Sequence, residues 1–120
     1  MKYFLLLIAG FILSINTYCS DPVIVNFCNN TTSTINITDF LNCNEVVVND
    51  ASWTVKSFTI SYKMNGNIIE ENIIGNTIPS NFQNGVQTNS PNQLFIENVI
   101  LVDANNVEKP LKSTAFKLVN

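Results

Sequence analysis

The segment 58–64, Phe-Thr-Ile-Ser-Tyr-Lys-Met, alternates apolar and polar side chains without a break, and Asn65-Gly66 follows at once. A period of two sets Phe58, Ile60, Tyr62 and Met64 on one face of a strand and Thr59, Ser61 and Lys63 on the other. Asn-Gly is the pair that most readily takes the positive φ values of a two-residue hairpin turn. The resulting register places Met64 opposite Asn67, Tyr62 opposite Ile69, Ile60 opposite Glu71 and Phe58 opposite Ile73. Glu71 is the misfit, and it predicts a twist or bulge in the return strand near its acids.

Weaker signals of the same kind run along the chain. Val23, Val25 and Phe27 alternate with Ile24 and Asn26. Ile35, Ile37 and Leu41 share a parity opposite Thr34, Asn36 and Thr38, interrupted by Asp39, and Glu45-Val46-Val47-Val48 is a short β-branched run. Trp53 and Val55 are odd-numbered whereas the apolar positions from Phe58 onward are even, so a bulge or strand boundary is expected near Ser57. Segment 94–102 is apolar on both parities, the pattern of a central strand covered on both faces. Asp103-Ala104-Asn105-Asn106 reads as a turn, and Thr114, Phe116 and Leu118 mark a last strand. No stretch combines helical apolar spacing with a capping box. The expectation is all-β: a small antiparallel β-sandwich of immunoglobulin-like character, with about six to eight short strands. Segment 75–92 holds two Gly, two Pro and five Asn and reads as a long loop. Its Ile78, Phe82 and Val86 either line a pocket mouth or tack the loop to the core.

The N-terminus has a different character. Met1-Lys2-Tyr3 leads into an apolar run over 4–13 that is too short to cross roughly 30 Å of hydrocarbon and has the length of a signal-peptide core. Residues 1–19 are read as a cleaved signal peptide, cut after Cys19, and 20–120 as one domain. The protein is expected to be secreted, touching membrane only through this segment before cleavage; in a bacterial host the alternative is a lipid anchor on Cys19. Cleavage removes Lys2 and leaves five Lys against nine acids.

Composition narrows the chemistry. The chain has no His, and all six of its cations are Lys, with a formal charge of −3. Nucleic-acid binding needs a basic face to displace phosphate counterions, and none is present. Three Cys without His do not make a usual zinc site, and a His-based triad is impossible. Glu70 and Glu71, adjacent on a strand, point to opposite faces and cannot share a proton. Asp103 to Glu108 lacks the spacing and glycine of a calcium loop and reads as an Asx turn. No metal, cofactor or catalytic residue is expected, and the chain is not read as an enzyme. Asn29, Asn30 and Asn36 begin glycosylation sequons, with Asn36 pointed to solvent by strand parity. Cys28 and Cys43 remain after cleavage in an oxidising compartment. They form either a bridge closing a loop of about 15 residues or two separately buried thiols. Trp53 is either core or an exposed stacking platform.

Three stretches together resemble the ML domain family, the secreted lipid-recognition β-sandwiches. Phe27-Cys28 closely follows the signal and Cys43 comes after fourteen residues that include Ile35 and Ile37. Trp53-Thr54-Val55 then leads into Phe58-Thr59-Ile60-Ser61-Tyr62, and segment 96–106 is similar to the family's penultimate strand and acidic turn. The resemblance implies a ligand held between two sheets. It also implies six Cys, pairing the first with one near the C-terminus and the second with one a few residues on. Here those places hold Pro110-Leu111-Lys112 and Glu45-Val46-Val47.

Two non-catalytic functions follow. In one, a lipid or small apolar ligand sits between the sheets against Trp53, Phe58, Ile60, Phe82, Ile96, Ile100 and Phe116. In the other, an extracellular recognition or adhesion module contacts glycan or protein through 75–92. The protein partner is not specified by the sequence. A gap of several hundred cubic ångströms between the layers would separate the first from the second, because sandwich layers with interdigitating side chains lie about 10 Å apart.

Overall fold

The computed structural model describes residues 22–120; the signal-peptide reading of 1–19 and the Cys19 alternative lie outside them. Along the chain run β1 (Val25–Phe27), β2 (Thr34–Asn36), α1 (Ile37–Leu41), β3 (Val46–Val48), β4 (Thr54–Met64), β5 (Asn67–Ile74), α2 (Ser80–Asn89), β6 (Gln93–Val102), β7 (Glu108–Leu111) and β8 (Thr114–Val119). The fold is all-β, with two sheets packed together. The larger has the strand order β2-β8-β6-β4-β5, with β7 also paired to β6, and the smaller is β1-β3. Every pairing is antiparallel except β2 with β8.

The hairpin forms as its sequence dictates. Asn65 and Gly66 take φ of 52° and 82°, the two left-handed positions of a type I′ turn. The register runs unbroken from Met64↔Asn67 through Tyr62↔Ile69, Ile60↔Glu71 and Phe58↔Ile73. The bulge expected near the acids of the return strand is absent from this ladder. β5 lies at the sheet edge, and Glu71 turns toward α2, where its Oε1 accepts from Asn81 Nδ2 at 3.3 Å. A carboxylate beside the first turn of a helix is favourably placed, so the strand has no need to eject it.

The irregularity expected near Ser57 is present. Val55 pairs with Leu101 and Ser57 with Ile100, so β4 carries one extra residue at Lys56. Between Ser57↔Ile100 and Thr59↔Glu97 the extra residue is on β6 instead, where Asn98 adopts φ 53°. The two bulges cancel, restoring the original register. Each flips the apolar parity of its own strand: Val55 then Phe58 on β4, and Leu94 and Ile96 then Val99 and Leu101 on β6, are all buried on one face. The double-parity apolar run of 94–102 therefore reflects a bulge as much as burial. Phe95, Ile100 and Val102 on the opposite face are half-buried, not covered. β7 and β8 continue one another in a single register along β6, from Val102↔Glu108 to Gln93↔Lys117, with Lys112 and Ser113 left unpaired opposite the Asn98 bulge.

The covered face of the large sheet meets β1, β3 and the two helices. Phe27 stacks edge-on to Phe116 at 4.7 Å and to Phe40 at 5.3 Å, joining the small sheet, the large sheet and α1. Two segments depart from the sequence expectation. Ile37, Leu41 and their neighbours turn into α1 instead of extending β2, because Asn36 Oδ1 accepts from Thr38 N–H at 2.8 Å and caps a helix. Segment 75–92 contains α2 and is not a long loop. Ile78, Phe82 and Val86, spaced by four, are buried at 0–3% exposure, and Phe82 packs edge-on to Tyr62 at 5.4 Å. Gln83 then clamps the helix down, its Nε2 donating to the carbonyls of Phe40 (3.1 Å) and Cys43 (2.6 Å).

Candidate functional site

Cys28 and Cys43 are bridged, with Cα atoms 5.9 Å apart. The bridge ties the end of β1 to the residues after α1 and encloses β2 and α1. Asn29 is exposed, whereas Asn30 Nδ2 donates to Thr32 O at 2.6 Å. Asn36, expected to point into solvent, is half-buried because its amide caps α1.

The residues expected to line a ligand do not gather in one place. Phe58, Ile60, Phe82, Ile96 and Phe116 are buried at 0–3% exposure and belong to one continuous core. Trp53 packs half-buried against that core beside a small hollow of about 140 Å³, with Lys109 Nζ 5.5 Å from its ring centre. Ile100 stands on the other side of the large sheet, paired with Ser57 and Pro110.

That other side carries a groove of about 510 Å³. Its floor is one cross-strand row, Glu70–Ser61–Phe95–Ala115, contributed by β5, β4, β6 and β8 in turn. Lys63 and Ile68 wall one end and Glu97 the other. Strand alternation puts these side chains here: the positions that send Phe58, Ile60 and Tyr62 inward send Ser61 and Lys63 outward. Ser61 is buried at 3% and Thr59 at 6% although no second layer among the described residues lies over them. Their longer neighbours shade them; Thr59 Oγ1 donates to Asn72 Oδ1 at 2.7 Å and accepts from Asn98 Nδ2 at 3.5 Å. This polar bridge across β5, β4 and β6 stiffens the sheet beside the groove.

The groove thus presents one half-buried aromatic ring, two carboxylates, one ammonium and the hydroxyls of Ser61, Ser113 and Thr114. Sequence parity already placed Ser61, Lys63 and Glu70 on one face of the hairpin. The missing signal was Phe95, which lay hidden in a run apolar on both parities. A second hollow of about 410 Å³ flanks the disulfide, but Asn29 and Asn30 form part of its wall, so a glycan on either would crowd it. Asp103 is occupied as an Asx turn, its Oδ1 accepting from Asn105 N–H and Val107 N–H at 2.9 Å each. Among the described residues no group of three or more Cys, Asp or Glu side chains is placed to hold a metal ion. No helix among them is long and apolar enough to cross a membrane.

Comparison with protein-family models finds no match, and neither does comparison with curated proteins.

Proposed function

We propose that this is an exported, non-catalytic recognition protein that holds a carbohydrate against the open face of its large sheet. The observation that carries the reading is the half-buried Phe95 ring, set in a groove between Glu70, Glu97 and Lys63 with Ser61 in its floor. A sugar ring offers a patch of C–H bonds that lies on an aromatic face, and a rim of hydroxyls that donate to carboxylates and accept from an ammonium. Four strands of one sheet hold the groups in place, so little order has to be imposed on binding. Export rests on the apolar run at 4–13, and a glycan on exposed Asn29 accords with the same route. Against the lipid-carrier alternative, which the ML resemblance favours, stands the packing of the inner face, where Phe27, Phe40 and Phe116 interdigitate across the layers.

A glycan array followed by calorimetry on the best ligand tests the reading. Phe95→Ala is expected to lower affinity at least about tenfold, the loss of one aromatic contact. Trp53→Ala, away from the groove, is expected to leave affinity unchanged. Binding that survives Phe95→Ala, or co-purification of a lipid with no sugar affinity, would defeat it.

A further inference from the structure

Ile74 is 90% exposed and Ile68 62% exposed, the two most exposed large apolar side chains among the described residues. Both lie on β5, at the edge of the large sheet. Gly75 N–H donates to Lys56 O, so alternate residues of β5, the odd-numbered ones, bond to β4. The N–H and C=O groups of Ile68, Glu70, Asn72 and Ile74 accordingly point outward from the sheet. An edge with bare backbone groups and exposed isoleucines is a template for another strand.

The pattern of β5 says which strand fits. We propose that two copies of this chain join β5 to β5, antiparallel, about a twofold axis at Glu71. In that register Ile68 of one copy meets Ile74 of the other and Glu70 meets Asn72, while on the opposite face Ile69 meets Ile73. Every exposed isoleucine of the strand gains an apolar partner, and Glu70 gains an amide donor. Sliding one copy by two residues sets Glu70 against Glu70 in one direction, and Glu70 against Ile74 with Glu71 against Ile73 in the other. A slide by one residue breaks the hydrogen-bond parity. The single unfavourable pair is Glu71 with its own copy on the axis, and Asn81 draws that carboxylate toward the start of α2. The like-charge pair weakens the dimer without changing its register.

The pairing has a consequence for the groove. Ile68 and Glu70 line it, so Ile74 and Asn72 of the second copy come to stand beside them and extend its wall. Two grooves then share one continuous sheet face, and a repeating glycan could engage both at once. The dimer stands on β5 alone; only this consequence rests on the sugar-binding reading.

Sedimentation velocity on protein purified from its own host, without sugar, tests the pairing. A concentration-dependent dimer is expected. Glu71→Gln tightens it about fivefold by removing the like-charge pair, and Ile74→Lys leaves a folded monomer. An oxidised mixture of Ile68→Cys and Ile74→Cys proteins cross-links, whereas Ile68→Cys alone does not. Monomer at every concentration for both wild type and Glu71→Gln, or a dimer indifferent to Ile74→Lys, would overturn the proposal. Affinity for a monovalent sugar, measured on the Ile74→Lys monomer, keeps the two readings apart. Retained affinity leaves the groove standing if the dimer fails, and an intact dimer without sugar affinity removes only the groove.

Discussion

At the scale of single residues, Gly85 decides how closely α2 approaches the sheet. A Cβ built there would lie 2.7 Å from the Tyr62 hydroxyl oxygen, and that ring is fixed by Phe82 on one side and by Asn89 Nδ2, which donates to its oxygen at 3.1 Å. Helix propensity alone favours Gly85→Ala by about 1 kcal/mol. The clash costs about 1–3 kcal/mol and reverses the sign. Chemical denaturation is therefore expected to show Gly85→Ala destabilised, and the Tyr62→Phe background, with the oxygen gone, to recover most of the loss. The Cys28–Cys43 bridge is the other decisive pair. Replacing both by Ala removes the constraint on a 15-residue separation and is expected to cost about 3 kcal/mol in the same measurement.

At the scale of elements, the compensating bulges of β4 and β6 keep both strands apolar toward one face. Asn98 carries its bulge at φ 53°, a conformation Asn and Gly tolerate and β-branched residues do not. Asn98→Val is expected to lower stability by about 1–3 kcal/mol, read as an earlier thermal midpoint, while Asn98→Gly, which keeps the backbone conformation and loses only the Thr59 contact, is expected to fall less. Segment 75–92 teaches the complementary lesson. Its Ile78, Phe82, Val86 spacing was a legible helical signal, outweighed in the sequence by Gly, Pro and Asn content. Of the segment's two glycines, Gly85 is the one that lets the helix pack over Tyr62. The Pro79 and Pro91 that suggested a loop instead flank α2 on either side.

At the scale of the molecule, the described residues form one layer of six strands with its inner face covered by a thin layer of two strands and two helices, and leave its outer face open. On the proposed function, stability and recognition fall to opposite sides of the same sheet. Glu70→Gln and Glu97→Gln, on the open side, are expected to leave folding stability within about 0.5 kcal/mol of wild type while weakening sugar binding. Two measurements on the same variants, a thermal melt and a titration, check that separation.

By itself the sequence determined the hairpin, its turn and its register, because alternation and Asn-Gly are local and leave no second solution. It also determined the parity slip near Ser57 and the tight turn at Asp103. Which of two covered-looking faces would lie open was decided only by tertiary structure. An apolar run on both parities is written the same way whether a second layer covers it or a bulge turns it over. The conversion of 75–92 into a helix and of 37–41 into a capped turn of helix also belongs there. The α2 helix depends on distant partners, Tyr62, Phe40 and Cys43, and α1 packs its Phe40 on the distant Phe27, contacts that no local pattern names.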